Sequence, residues 1–260
     1  MPYVRLAHAG RVHYAERGER KKDAPSAVFI HGAGARSAIW MMVVARAARA
    51  GHAIAIDLPG HGPSETDGRT LDGADGLSLA RYRDAVGELC GALCLEPSVL
   101  VAHSMGALVA LEAALAWPDK VRALILCAAA PRMPVAPELH RLLRDDPAGA
   151  TLWIADHGLS PSAKPAVRRG FLAAGALAAP EITRADFEIV AGTDLTARLA
   201  SIACPLTWLD GADDGIIPAT SRGERRGEIV TIPAAGHLLP IEAPGAIAQA
   251  LASATAGPPS

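Results

Sequence analysis

The 260-residue chain has few cysteines, no charge of one sign in excess and no long apolar run, and each shortage closes a class of function. Its four cysteines are Cys90, Cys94, Cys127 and Cys204. Cys90 and Cys94 share a predicted helix face but lack the Cys-x-x-Cys spacing of redox and zinc sites. All four are expected in or near the core of a protein kept in a reducing compartment. The formal net charge is −2 and no basic stripe is visible, so no nucleic-acid partner is expected. The small basic cluster of Arg17, Arg20, Lys21 and Lys22 reads as a solvated loop. No run of about 18 apolar residues occurs, so no membrane span is expected. Residues 1–10 contain no apolar leader, and the expected location is the cytoplasm. The histidines show no metal-ligand spacing, so no metal is expected. Internal repeats and low-complexity segments are lacking too.

What is present is a rhythm of short apolar runs and helical segments. Two short strands around Ala9-Gly10 read as a hairpin. Ala27-Val28-Phe29-Ile30, Ala53-Ile54-Ala55-Ile56, Val99-Leu100-Val101-Ala102 and residues 121–128 are apolar without alternation, as strands covered on both faces are. Between them, residues 37–50, 78–93 and 107–117 read as helices, with Gly51 as a C-terminal cap and Ser78 as an N-cap. The alternation implies a mostly parallel sheet with helices on both faces. It breaks from 131 to about 200, where prolines and glycines split helical patterns at 137–143, 148–157, 166–179 and 184–190. This stretch reads as a helical insertion over the carboxyl edge of the sheet. Strands at 205–210 and 228–232 and a helix over 243–252 follow. Residues 66–76 read as a polar loop, and the tail from 253 is expected to fray.

The strand at 99–102 ends in His103-Ser104-Met105-Gly106, a turn that lifts a serine onto a helix N-terminus. A serine hydroxyl needs a base in reach and a carboxylate to orient that base. Reactive groups of an open parallel sheet gather at the carboxyl ends of its strands. Asp213 and Asp214 follow the strand ending at Asp210, and His237 follows the strand ending at Ile232. The order is Ser104, then Asp214 or Asp213, then His237. The N–H groups of Met105 and of Ala33, in His31-Gly32-Ala33-Gly34, are the expected oxyanion donors. His31 and His103 are expected to be structural, with His103 pointing away from the site.

Five stretches in order carry a resemblance: His31-Gly32-Ala33-Gly34, Asp57-Leu58-Pro59-Gly60-His61-Gly62-Pro63-Ser64, Ala102-His103-Ser104-Met105-Gly106, Gly211-Ala212-Asp213-Asp214, and Gly236-His237 with Glu242-Ala243-Pro244. Together they resemble the cap-bearing serine hydrolases of the α/β-hydrolase superfamily. The resemblance implies an eight-stranded, mostly parallel α/β core from residues 1–130 and 201–260, with a helical cap at 131–200. It implies Ser104 as nucleophile, Asp214 as acid, His237 as base, and no cofactor. The expected reaction is hydrolysis of a small-molecule carboxylic ester or lactone through an acyl-enzyme. The same triad serves C–C bond hydrolysis, perhydrolysis and thioester cleavage. C–C hydrolysis would call on basic groups such as Arg132, Arg168, Arg169 or Arg184. A non-catalytic small-molecule receptor is the reading from another class. Trp153, Phe171 and Leu172 are candidate pocket residues. Two departures stand out: Ala102 replaces the family glycine, with slight strain expected, and residues 218–227 fall short of the usual helix.

Overall fold

The computed structural model describes residues 2–22, 24–65, 76–95, 97–173 and 178–256. Eight strands form one sheet: β1 (Tyr3–Leu6), β2 (Gly10–Arg17), β3 (Ala27–Ile30), β4 (Ala53–Ile56), β5 (Ser98–His103), β6 (Val121–Cys127), β7 (Leu206–Gly211) and β8 (Glu228–Ile232). Their order is β1-β2-β4-β3-β5-β6-β7-β8. The β1–β2 hairpin is antiparallel and joins β4 antiparallel; every later pairing is parallel. This is the α/β-hydrolase fold expected from the sequence.

The apolar runs are buried because both faces of the sheet are covered. Successive side chains alternate between the faces. Val28, Ile30, Leu100 and Ala102 meet α2 (Leu79–Ala92) and α3 (Met105–Ala116), while Phe29, Val99 and Val101 lie with α1 (Met41–Ala47) and α9 (Pro244–Thr255), which follows a short α8 (Leu239–Glu242). At Gly106 a methyl group would come within 2.4 Å of the His31 carbonyl oxygen and 2.6 Å of that of Ile30. Only glycine lets α3 pack so tightly against the end of β3.

Between β6 and β7 run α4 (Pro137–Asp145), α5 (Pro147–Gly158), α6 (Pro165–Ala173) and α7 (Pro180–Gly192). α4 and α5 hold a small apolar cluster of Leu139, Leu143, Ala150 and Ile154, against which Phe171 of α6 and Phe187 of α7 pack. A bridge between Arg132 and Asp194, with Leu195 N–H donating to Pro131 O at 2.9 Å, closes the neck of the insertion. Each of these helices begins with proline. The sequence reading starts α4 at its proline but takes the other prolines as breaks, and so starts α5, α6 and α7 late. At the first helical position proline loses no hydrogen bond and has the right φ.

Other expectations are corrected. Residues 37–50 are a 3₁₀ turn (Ser37–Trp40) leading into the short α1, and Gly51 has no left-handed φ, so no glycine cap closes it. Cys94 is exposed, not near-core; it sits at φ 51° after α2. Cys90 and Cys127 are buried and Cys204 is half-buried. Residues 66–75, 174–177 and 257–260 of the expected loop, helix and tail lie outside the described residues.

Candidate active site

β5 delivers Ser104 to the turn before α3 with φ 50° and ψ −121°. That backbone is strained for an L-residue, and the fold holds it with Ser104 N–H to Cys127 O at 3.0 Å and Ala107 N–H to Ser104 O at 2.8 Å. The strain expected at Ala102 is not there: it has strand backbone without a left-handed φ and pairs with Ile30 and Leu126.

Ser104 Oγ lies 3.0 Å from His237 Nε2, and His237 Nδ1 lies 3.1 Å from Asp214 Oδ2. Asp214 and His237 reach one place because the loops after β7 and β8 are zipped together. Ala212 N–H donates to Ile232 O at 3.0 Å and Asp213 N–H to Ala235 O at 2.9 Å. Asp214 Oδ1 accepts the N–H groups of Ile216 and Ile217 at 2.9 and 2.8 Å. Burial opposes the Asp214 charge, but the His237 ring and these hydrogen bonds outweigh it and hold the carboxyl below its usual range. Asp213 faces elsewhere and accepts Ser160 Oγ–H at 2.6 Å.

Three residues with no assigned role support this geometry. Arg222 is buried; its Nη1 pairs with Asp210 Oδ2 at 3.0 Å, its Nη2 lies 3.7 Å from Asp214 Oδ2, and its Nε donates to Ile217 O at 3.1 Å. The short 218–227 segment thus clasps the loop that carries Asp214. Glu242 accepts Ser160 N–H at 2.8 Å and Gly236 N–H at 3.1 Å, holding the turn before His237. Gly158, at the C-terminus of α5, accepts the N–H groups of His237 and Leu238 at 2.7 and 3.1 Å. The negative end of that helix therefore faces the His237 loop. No local sequence pattern flagged Arg222. Glu242 stood in a quoted motif without a role.

His103 does not point away. Its Nε2–H donates to His237 O at 2.9 Å, and the two rings lie 5.0 Å apart. Burial, with the His237 ring nearby, pushes its pKa down to about 3, so it is neutral at physiological pH. His31 Nε2 accepts Leu58 N–H at 3.1 Å, so Nδ1 carries the proton and donates to Gly32 O at 2.9 Å. Gly32 lies against Ser104: a methyl group on it would stand 3.1 Å from Ser104 Cβ. Ala33 is therefore beside the serine, and Met105, first residue of α3, has an N–H without an intrahelical partner.

Ser104 and His237 open onto a cavity of about 450 Å³. Its walls are mostly apolar, with Met133, Val135, Leu139, Phe187 and Ile216 prominent, and come from the insertion and the loops at the carboxyl ends of the strands. Of the expected pocket residues, Phe171 lines it. Trp153 does not; it stacks on His157 at 4.0 Å and packs in the insertion's own cluster. Leu172 also lies outside the lining, since one residue further along α6 turns the side chain about 100° away. Among the described residues, no cluster of three or more His, Cys, Asp or Glu could hold a metal, and no helix is long and apolar enough to cross a membrane.

The (E)-2-((N-methylformamido)methylene)succinate hydrolase of Acinetobacter baylyi is 32% identical over 46% of this chain, which spans only 41% of that protein. A pimeloyl-(acyl-carrier protein) methyl ester esterase of Xanthomonas oryzae pv. oryzae is 30% identical over 82% of this chain and 88% of its own. A solved thermophilic esterase from Thermogutta terrifontis superposes with a TM-score of 0.81 at 25% identity, over 97% of both chains. The model of the Alpha/beta hydrolase family matches residues 27–250, through the sheet, the Ser104 turn and the loops after β7 and β8, and the chain belongs to that family.

Proposed function

We propose that the protein is a serine hydrolase that cleaves a carboxylic ester or lactone through an acyl-enzyme on Ser104. The observation that carries this reading is the continuous chain Ser104 Oγ, His237 Nε2, His237 Nδ1, Asp214 Oδ2, at 3.0 and 3.1 Å, open to an apolar cavity. Ser104 attacks the carbonyl carbon while His237 Nε2 takes its proton. Asp214 fixes the ring with Nδ1–H toward the carboxylate and stabilises the imidazolium. The N–H groups of Ala33 and Met105 receive the oxyanion. His237 then returns the proton to the leaving oxygen, and water, activated by the same ring, releases the acid.

In this reading residues 131–200 act as the cap, residues 1–130 and 201–260 as the core, and Phe171 as a substrate contact. The apolar walls favour a small to medium, largely apolar acyl group. The C–C reading is weaker. Arg168 pairs with Asp156 and Arg184 with Glu188, Arg132 lies 4.0 Å from Asp194, and neither these three nor Arg169 lines the cavity. The free thiols fit a reducing compartment such as the cytoplasm.

The test is turnover of a short-chain aryl ester by Ser104→Ala, Asp214→Asn and Asp213→Asn. The first two are expected to lose about 10³-fold or more in kcat, and Asp213→Asn to stay near wild type. Ser104→Ala at wild-type rate ends the proposal. Fluorophosphonate labelling of Ser104 without turnover on any ester, lactone or thioester would favour the receptor reading.

A further inference from the structure

Asp186 is a carboxylate with no exposed surface, in the middle of α7, that the catalytic reading does not use. Its Oδ2 accepts Gly34 N–H at 2.7 Å and His61 Nε2–H at 2.8 Å, and its Oδ1 accepts Tyr82 O–H at 2.6 Å. The donors come from the loop after β3, the loop after β4, and α2. His61 Nδ1 faces the Pro59 carbonyl at 3.1 Å, so both ring nitrogens meet acceptors and the ring holds both protons. Burial works against that charge, but the Asp186 carboxylate outweighs it and raises the His61 pKa. Asp186 is thus a carboxyl group in the protein interior that accepts three hydrogen bonds and reaches from the insertion into the core.

Gly34 is gripped twice. Its carbonyl accepts Ala178 N–H at 2.6 Å, from the segment just before α7. The peptide that carries the Ala33 N–H is held at its other end, where Gly32 O accepts His31 Nδ1–H at 2.9 Å and Ala35 N–H at 3.1 Å. A peptide unit is planar, so fixing a carbonyl aims the N–H on the opposite side. The next N–H along the chain is the one that Asp186 holds.

We propose that Asp186 is a positioning residue that aims the Ala33 N–H at the substrate oxyanion by anchoring Gly34 from the insertion. This rests on the serine-hydrolase reading. The proposal makes the insertion a working part of the oxyanion hole as well as a wall of the cavity. A merely structural carboxylate would support stability alone. A positioning carboxylate also sets the rate of the step in which the oxyanion forms, with little effect on substrate binding.

The experiment compares wild type, D186N and Y82F by the rate of fluorophosphonate labelling at Ser104 and by kcat and KM on 4-nitrophenyl butyrate, below the melting temperature of each. Labelling passes through an adduct whose oxygen occupies the oxyanion hole, so it reads the donors without the natural substrate. D186N is expected to label and turn over at least tenfold more slowly with KM within twofold. Y82F removes a donor to Asp186 but leaves the Gly34 bond, and is expected to stay within threefold in rate while its melting temperature falls. Folded D186N that labels within twofold of wild type overturns the proposal, as does Y82F losing as much rate as D186N. Should D186N fail to fold, A178P removes the N–H that holds the Gly34 carbonyl. Slower labelling at unchanged KM then supports the proposal, and an unchanged rate overturns it. Wild type that does not label overturns the serine reading, and this proposal with it.

Discussion

Ser104 and its neighbour His103 divide two tasks between adjacent residues. Ser104 keeps a strained backbone that costs of order 1–3 kcal/mol and presents its hydroxyl to His237. His103, with its buried ring neutral, braces the His237 carbonyl. That neutrality has a pH signature. The His103 pKa falls from about 6.5 in the unfolded chain to about 3 when folded. Between those values the unfolded chain binds a proton that the folded one does not. The stabilisation is therefore complete above pH 6.5 and lost progressively as pH falls. The loss is about 2 kcal/mol between pH 7 and 5. His31, also depressed by burial, acts in the same direction. Thermal melts from pH 4.5 to 7 should show this slope, and His103→Gln should flatten it; an unchanged slope in that variant refutes the assignment. The sequence pointed to Ser104, to Asp213 or Asp214, and to His237 because each follows a strand, a purely local signal, and the family resemblance chose Asp214. It misdirected His103 because strand alternation does not say that a neighbouring loop will come back over the ring. It passed over Asp186 because that residue reads as one more charge on a helix with Arg184 and Glu188. The spacing held a clue: Ile182, Asp186 and Val190 lie four apart, on one buried stripe.

The end of α2 shows how an element can close with an unsuited residue. Leu95 N–H donates to Cys90 O at 2.9 Å and Cys94 N–H to Gly91 O at 3.0 Å, the bonding of a glycine-ended helix cap. Cys94 occupies the left-handed position where glycine is free of strain. Cys94→Gly should therefore stabilise the fold by about 1 kcal/mol, read as a higher urea midpoint at unchanged slope. A lower midpoint would show that the thiol contributes more than its backbone costs. Strands β3 to β6 were legible as elements because each carries a run of four or more buried apolar residues, covered on both faces. The insertion helices were harder, since Pro137, Pro147, Pro165 and Pro180 stop and start helices with the same residue. The 218–227 segment was read only as a shortened helix. Its Arg222 and Arg225 both pair with Asp210, across the strand end, which no local pattern encodes.

Across the whole molecule, the insertion is fastened to the core at both halves of the site. Gly158 at the end of α5 holds the His237 loop, and α7 with the segment before it holds Gly34 through Asp186 and Ala178. Pulling the insertion away would strand the Asp186 and His61 charges and bare the carbonyl of Gly158. Insertion and core should therefore unfold together. A variant keeping Trp153 as its single tryptophan should show a urea transition coincident with far-ultraviolet circular dichroism of the whole chain. A Trp153 transition at clearly lower urea would mean the ties are weak. The core's alternation is readable from the sequence as a repeating pattern, whereas these ties join residues up to 152 positions apart and exist only once the chain is folded. The buried carboxylate also limits how such a protein can be recombined. A grafted insertion from another hydrolase that lacks a carboxylate at the place of Asp186 would leave His61 without a counter-charge and Gly34 without an anchor. Exchange of substrate preference by swapping this segment therefore has to carry residue 186 along, or alter position 61 in the core in the same step.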